Sequence, residues 1–404
     1  MAYPATLADQ DQPDPAPIRA WLRHPAAVAA SAFLLIRAIG LLVLSLWPAR
    51  AGRPLIDVLG TWDGGWYVRI AVSGYADHLD LSTPEKDQTT GSLAFFPAYP
   101  MLIRFVSGLT GVDPRWAGVL ISLIAGATAA AGIAVLAADW AGPRVGLLAG
   151  LLWSCAPMAV VGSLVYTEAL FTALAVWAFI ALRRDRWLVA GVLGAAAGLT
   201  RPTGVAVGTA IAAYAVWTWW QHRARRAQSP SRSGASALPL IAGVIALAGT
   251  PAFWVWAGIR ADRWDAWFAV QDAFWGSHFD GGASILRVAR TVVLGESIPG
   301  SELLDATVVL CLLAAVALLV LAARVRVWWP LLVYAAISLT MVIGSNGYAS
   351  SKLRFLVPIF VLAFPLARWL AKRSWPTQSA VVLVALAATT VTGTWILLVW
   401  PYAI

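Results

Sequence analysis

The chain has 404 residues, 60% of them hydrophobic and 12% charged, with a mean hydropathy of +0.74. That balance excludes a soluble globule and leaves length for many bilayer crossings. The formal net charge of +9 is spread over the connections between apolar runs, which argues against nucleic acid as its partner.

Apolar runs of span length recur at residues 25 to 47, 116 to 138, 145 to 162, 165 to 182, 187 to 200, 203 to 219, 237 to 258, 304 to 323, 328 to 344, 354 to 371 and 378 to 400. We therefore expect a single all-α polytopic membrane domain of about eleven transmembrane helices over 1–404. The first run is longer than a signal-peptide core and reads as an uncleaved span. Cys155 and Cys311 sit in apolar runs without a His or second Cys nearby, so they read as inert core residues. No internal repeat is evident.

With a cytoplasmic amino terminus, basic residues collect on one side: Arg19 and Arg23 in the tail 1–24, Arg144, the RRDR stretch at Arg183, the HRARRAQSPSRSG loop, Arg324, Arg326, Arg368, Lys372 and Arg373. The acids on that side are Asp9, Asp11, Asp14, Asp139 and Asp185. Excess positive charge inside is the ordinary orientation signal. It leaves two long segments on the outer face, 48–115 and 259–303.

The first holds TWDGGWYVRIAVSGY, Thr61 to Tyr75, where Trp62, Trp66 and Ile70 recur at helical spacing. Tryptophan and tyrosine favour the bilayer boundary, so the stretch is predicted to be an amphipathic helix at the membrane surface with Asp63 at its edge. The second repeats the habit, with Trp264, Phe268, Gln271 and Trp275 on one predicted helical face. Two such helices could roof a cavity in the bundle. Asp63 is then either a general base or a helix-capping acid, both roles being natural for an aspartate there.

Other polar residues stand where apolar ones would cost less. Glu168, at the start of a span, is expensive enough in a membrane to suggest function, with an exposed turn as the alternative. Arg201 in GLTRPTG, with Lys352 and Arg354 in SSKLRF, are cations at span ends, suited either to holding a phosphate or to snorkelling towards lipid headgroups. Arg37 falls near mid-membrane and needs an acid or a backbone carbonyl as partner.

WDGGWYVRIAVSGY, SLAFFPAYPMLIR, LVYTEALFTALAVWA and LTRPTG, in that order, resemble the PIG-V mannosyltransferases, the family of the second mannosyltransferase of GPI-anchor synthesis. The matching positions are Trp62, Asp63, Ile70, Ala71, Gly74, Tyr75, Phe95, Phe96, Pro97, Pro100, Tyr166, Glu168, Leu170 and Phe171, with a departure at Thr61, where eukaryotic members tend to carry Arg. The motifs fall in the first half of the chain. The resemblance implies a GT-C bundle that takes mannose from a polyprenyl-phosphate-mannose donor in the membrane and passes it to a lipid, glycan or protein acceptor.

It also implies that the catalytic acid in the first outer loop is Asp63, acting as the base of an inverting displacement. Candidate donor- and acceptor-binding residues are Trp62, Trp66, Tyr67, Tyr75, Phe96, Tyr166, Glu168, Arg201, Lys352 and Arg354. The three cations are assigned to the leaving phosphate and Glu168 with Tyr166 to the cavity lining; no cofactor and no obligatory metal are expected. The competing class is a transporter or flippase whose path is lined by Arg37, Glu168 and Arg201. A non-catalytic scaffold is a third reading.

Overall fold

The computed structural model describes residues 24–47, 52–81, 89–227, 236–296 and 301–400. The amino-terminal tail up to residue 23, part of the basic loop after Ala227 and short pieces of both long connections lie outside the described residues.

Seventeen α-helices occur among the described residues, which include no strand: α1 (Pro25–Leu46), α2 (Leu55–Leu59), α3 (Asp63–Ser73), α4 (Ala98–Thr110), α5 (Pro114–Ala141), α6 (Pro143–Ser154), α7 (Glu168–Arg183), α8 (Trp187–Gly198), α9 (Gly204–Ala227), α10 (Leu238–Arg260), α11 (Ala266–Trp275), α12 (Ala283–Leu294), α13 (Glu302–Arg324), α14 (Trp329–Gly344), α15 (Ser351–Leu356), α16 (Ala363–Leu370) and α17 (Trp375–Leu398). Among them α1, α5, α10, α13 and α17 are long and apolar enough to cross a bilayer. The molecule is an all-α, multi-pass membrane protein.

Each apolar run of the sequence coincides with a helix, but two are broken. The run 145–162 is helical only through Ser154; Pro157 ends it, and a 3-10 turn at Ala159–Ser163 carries the chain back to α7. The run 354–371 is interrupted by Pro358, which divides α15 from the turn Phe360–Leu362 and α16. Pro251 lies inside α10, whereas Pro25, Pro114, Pro143, Pro330 and Pro376 all stand in first turns, where a missing N–H costs nothing. Asp113 caps α5 by accepting from the backbone N–H of Arg115 at 2.8 Å.

Small residues set the helix crossings. A Cβ on Gly126 of α5 would lie 2.2 Å from Phe33 of α1, and one on Gly249 of α10 would lie 2.0 Å from the backbone oxygen of Ala195 on α8. Close approach of this kind supplies the van der Waals contact that holds helices together where lipid offers no hydrophobic drive. On this basis α5 packs among α1, α6 and α7, while α8, α9 and α10 form a tight trio beside α14.

Mid-membrane Arg37 finds backbone partners. It donates through Nη2 to Ser154 O at 2.8 Å, at the end of α6, and through Nη1 to Ala159 O, on the 3-10 turn that follows. Carbonyls freed by a helix end inside a bilayer need a donor, and Arg37 supplies it.

The two long connections meet at one end of the bundle. Arg260 Nε donates to Ala76 O at 2.6 Å, and Trp267 Nε1 and Gln271 Nε2 donate to Ala94 O at 3.1 and 3.3 Å.

Candidate active site

Asp63 opens α3 directly after Trp62, whose φ of 53° lies in the region an L-residue rarely adopts. Such a conformation persists only where its surroundings enforce it. Here Gly64 packs against Val165, whose N–H bonds to Leu59 O at 3.0 Å, so the turn before α3 is pressed onto the segment leading into α7. The turn delivers Asp63 to a cavity of about 250 Å³.

The cavity is charged on one side. Arg354 Nη1, from α15, lies 2.6 Å from Asp63 Oδ2 and 3.6 Å from Glu168 Oε1. Arg201 Nη1, from the turn between α8 and α9, lies 2.6 Å from the same Glu168 oxygen and donates to Thr167 Oγ1 at 2.8 Å. Acids and guanidiniums thus alternate as Asp63, Arg354, Glu168, Arg201. The side chains are 16%, 10%, 0% and 10% exposed, so Asp63 has the widest access of the four and Glu168 none.

Aromatic rings hold the guanidiniums. Arg354 lies 5.1 Å from the Tyr166 ring centroid and 4.8 Å from that of Phe355, and Arg201 lies 5.4 Å from Phe355. Stacking a guanidinium on a ring face fixes its plane and adds cation–π attraction. Tyr67 is 3.4 Å from Thr167 Oγ1, and burial, with Asp63 adding to it, keeps its hydroxyl well above the ordinary tyrosine range. It therefore stays protonated.

Lys352 also reaches the cavity, but its ammonium is spent on backbone: Nζ donates to Val342 O at 2.9 Å and to Ser345 O. It ties down the carboxyl end of α14, and burial lowers its pKa from the ordinary lysine value, partly offset by the charge of Asp280. The next residues form a wall with the second long connection: Asn346 N donates to His278 O at 2.7 Å and Asp280 N to Gly344 O at 2.8 Å.

Of the candidate catalytic and binding residues, Asp63, Tyr67, Phe96, Arg201, Lys352 and Arg354 line this cavity, and Phe95 of the matched motif lines it too. Glu168 and Tyr166 sit behind it, beneath the guanidiniums. Trp66 stacks on Phe95 at 5.5 Å and meets Trp275 edge-on at 5.8 Å, so its stripe with buried Ile70 is the inner face of α3 rather than a membrane-facing one. Tyr75 donates to Phe95 O at 2.8 Å and packs on Trp256, bracing the wall from behind. Trp62 is half-buried against the core.

On α11 the stripe read from sequence shifts. Trp264 precedes the helix and is 88% exposed, whereas Trp267, Gln271 and Trp275 face the cavity. Those three recur at i, i+4 and i+8, a register the sequence offered as readily as the one chosen. Thr167 and Thr203, inside the VYTEALF and LTRPTG stretches but not singled out there, also line the cavity, as do Ser277, Asn346 and Tyr348, ordinary loop polar residues without a sequence signal. No cluster of three or more His, Cys, Asp or Glu suited to a metal occurs among the described residues.

The sequence profile of the dolichyl-phosphate-mannose-protein mannosyltransferase family matches residues 94–256. That is under half of the chain, and it takes in Phe96, Tyr166, Glu168 and Arg201 but not Asp63, Lys352 or Arg354. Among solved structures, ArnT from Cupriavidus metallidurans bound to undecaprenyl phosphate is similar at a TM-score of 0.50 and 16% identity, over 89% of this chain and 63% of that one. The Archaeoglobus fulgidus oligosaccharyltransferase in its apo form aligns at a TM-score of 0.47 and 12% identity, over 91% of this chain and 55% of that one. No curated protein matches in sequence. The fold is the GT-C membrane fold, and the chain spans less than two thirds of the length of either structure.

Proposed function

We propose that this protein is a GT-C glycosyltransferase that moves mannose from a polyprenyl-phosphate-mannose donor to a hydroxyl of a lipid, glycan or protein acceptor, on the outer face of the plasma membrane. The observation that carries the reading is the meeting of Asp63 with Arg354 and Arg201 in one partly open cavity at the end of the bundle where both long connections converge. The mannosyltransferase profile match supports the sugar, and the positive-inside distribution supports a cytoplasmic amino terminus.

The chemistry is a single inverting displacement. Asp63 takes the proton of the acceptor hydroxyl, whose oxygen attacks the anomeric carbon from the face opposite the phosphate. The bond between the anomeric carbon and the phosphate oxygen breaks, and polyprenyl phosphate leaves with one further negative charge. Charge-assisted bonds from Arg354 and Arg201 hold that charge as it develops, so the leaving group needs neither a proton nor an obligatory metal. At about 250 Å³ the cavity falls a little below the ~300 Å³ at which drug-sized ligand sites begin, and suits a headgroup with its prenyl tail left in the bilayer. The resemblance to PIG-V enzymes in TWDGGWY and VYTEALF belongs to the same reading.

The test is transfer of labelled sugar from polyprenyl-phosphate mannose to a membrane-lipid acceptor pool by purified protein in liposomes, beside the matching polyprenyl-phosphate glucose. Transfer of mannose above glucose supports the reading in full. Transfer of glucose alone removes the sugar assignment, and transfer of neither removes the enzyme assignment.

A further inference from the structure

Glu168 is the one acid of the alternating set that no ligand in the cavity can touch. Its side chain has 0% exposure and it does not line the cavity. On its far side it backs onto Phe33, Trp153 and Val357. That wall is apolar and gives the carboxylate no counter-charge. Its neutralisers are Arg201 at 2.6 Å and Arg354 at 3.6 Å, together with the amino end of α7, of which it is the first residue.

The two guanidiniums come from separate parts of the chain, share the Phe355 ring and both point Nη1 at one Glu168 oxygen. Two like charges so close inside a membrane protein repel one another unless an anion stands between them. We propose that Glu168 is a positioning residue: from behind the cavity its charge draws Arg201 and Arg354 together, so that both meet one phosphate oxyanion. The inference rests on the reading of these arginines as the phosphate site, and it replaces a sugar-contacting role for Glu168 with an indirect one.

Electrostatics and positioning make opposite demands on Glu168→Gln. Removing a negative charge from behind two cations strengthens their pull on a phosphate if they stay in place. If Glu168 holds them, its loss lets them part and weakens that pull. The sign of the change in affinity decides.

The experiment measures binding of undecaprenyl phosphate, and of uncharged undecaprenol as control, to purified full-length protein in detergent micelles by intrinsic tryptophan fluorescence. It compares wild type, E168Q and E168D. We expect E168Q to bind the phosphate at least ~10-fold more weakly, as loss of an aligned charge-assisted bond implies, with undecaprenol binding unchanged and partial recovery in E168D, which keeps the charge on a shorter arm. Phosphate binding by E168Q equal to or tighter than wild type overturns the role of Glu168 and leaves the arginine assignment standing. Equal loss for phosphate and alcohol also overturns it, because the variant is then generally misfolded. A wild type that binds both lipids alike removes the phosphate site itself, and the proposal with it.

Discussion

Asp63→Asn is the substitution on which the catalytic reading turns, because the amide keeps the side chain's size while removing both its charge and its basicity. Asp63 has two relations in the structure: partial access to the cavity and an ion pair of 2.6 Å with Arg354. Loss of a general base costs ~10²–10⁴-fold in rate, equivalent to ~2.7–5.5 kcal/mol of barrier. Loss of the ion pair acts in the opposite direction on binding. Two unit charges ~4 Å apart attract by ~4 kcal/mol at an effective dielectric constant of 20, and rehydration of the freed guanidinium offsets most of this. Arg354 then keeps only Glu168, at 3.6 Å, as a competing anion, so an arriving phosphate meets a more available cation. The expected result is a kcat lower by at least ~100-fold with a dissociation constant for polyprenyl phosphate equal to or below that of wild type. Steady-state transfer in liposomes, paired with lipid-phosphate binding in micelles, separates the two. A kcat reduced less than ~10-fold, or a loss that lies entirely in donor affinity, refutes Asp63 as the base.

Arg354→Gln keeps hydrogen-bonding capacity but loses the charge facing the phosphate; a charged hydrogen bond is worth ~1.5–3 kcal/mol, so polyprenyl phosphate should bind ~10–100-fold more weakly in the same micelle assay. Lys352→Met leaves Val342 O and Ser345 O without their shared donor, and hydrogen exchange should accelerate over residues 342–348 while α5 stays protected. Gly91→Ala places a Cβ 2.5 Å from Trp66 Cη2 and 3.0 Å from Phe274, an overpacking of ~1–3 kcal/mol that should lower the thermal unfolding midpoint and loosen α11 from the first connection. Trp267→Phe removes the 3.1 Å bond to Ala94 O, and a loss of ~0.5–1.5 kcal/mol in stability is expected from chemical denaturation of detergent-solubilised protein.

The helices were legible because a membrane span announces itself locally, through ~20 apolar residues and basic flanks. The breaks at Pro157 and Pro358 were visible as prolines, yet hydropathy averaged over a window passes across them, so 145–162 and 354–371 read as continuous. In the site, each charged residue stood out as costly in an apolar setting, but its partners did not. Asp63, Arg354, Glu168 and Arg201 come from α3, α15, α7 and the turn after α8, and no periodicity in the chain records that they meet. The α11 stripe shifted for a related reason: Trp264, Phe268, Gln271 and Trp275 share a face by spacing, but helix onset at Ala266 and burial of Ala266 and Val270 select Trp267 instead.

Arg37 and Glu168 show what intramembrane charge means once partners are known. From sequence both were costly residues in apolar runs, and together with Arg201 they made the outline of a transport path. In the structure Arg37 ends on Ser154 O and Ala159 O, where the broken helix exposes carbonyls to the bundle interior, whereas Glu168 ends on two guanidiniums beside a cavity. A charge consumed by backbone repairs a break in the fold. A carboxylate that gathers two cations holds them at the edge of a cavity, and Arg201 Nε and Arg354 Nε, like Arg37 Nε, make no protein hydrogen bond. The first arrangement lowers the cost of a discontinuous helix, and the second stores positive charge beside Asp63. Arg37 and Glu168 therefore answer to different partners.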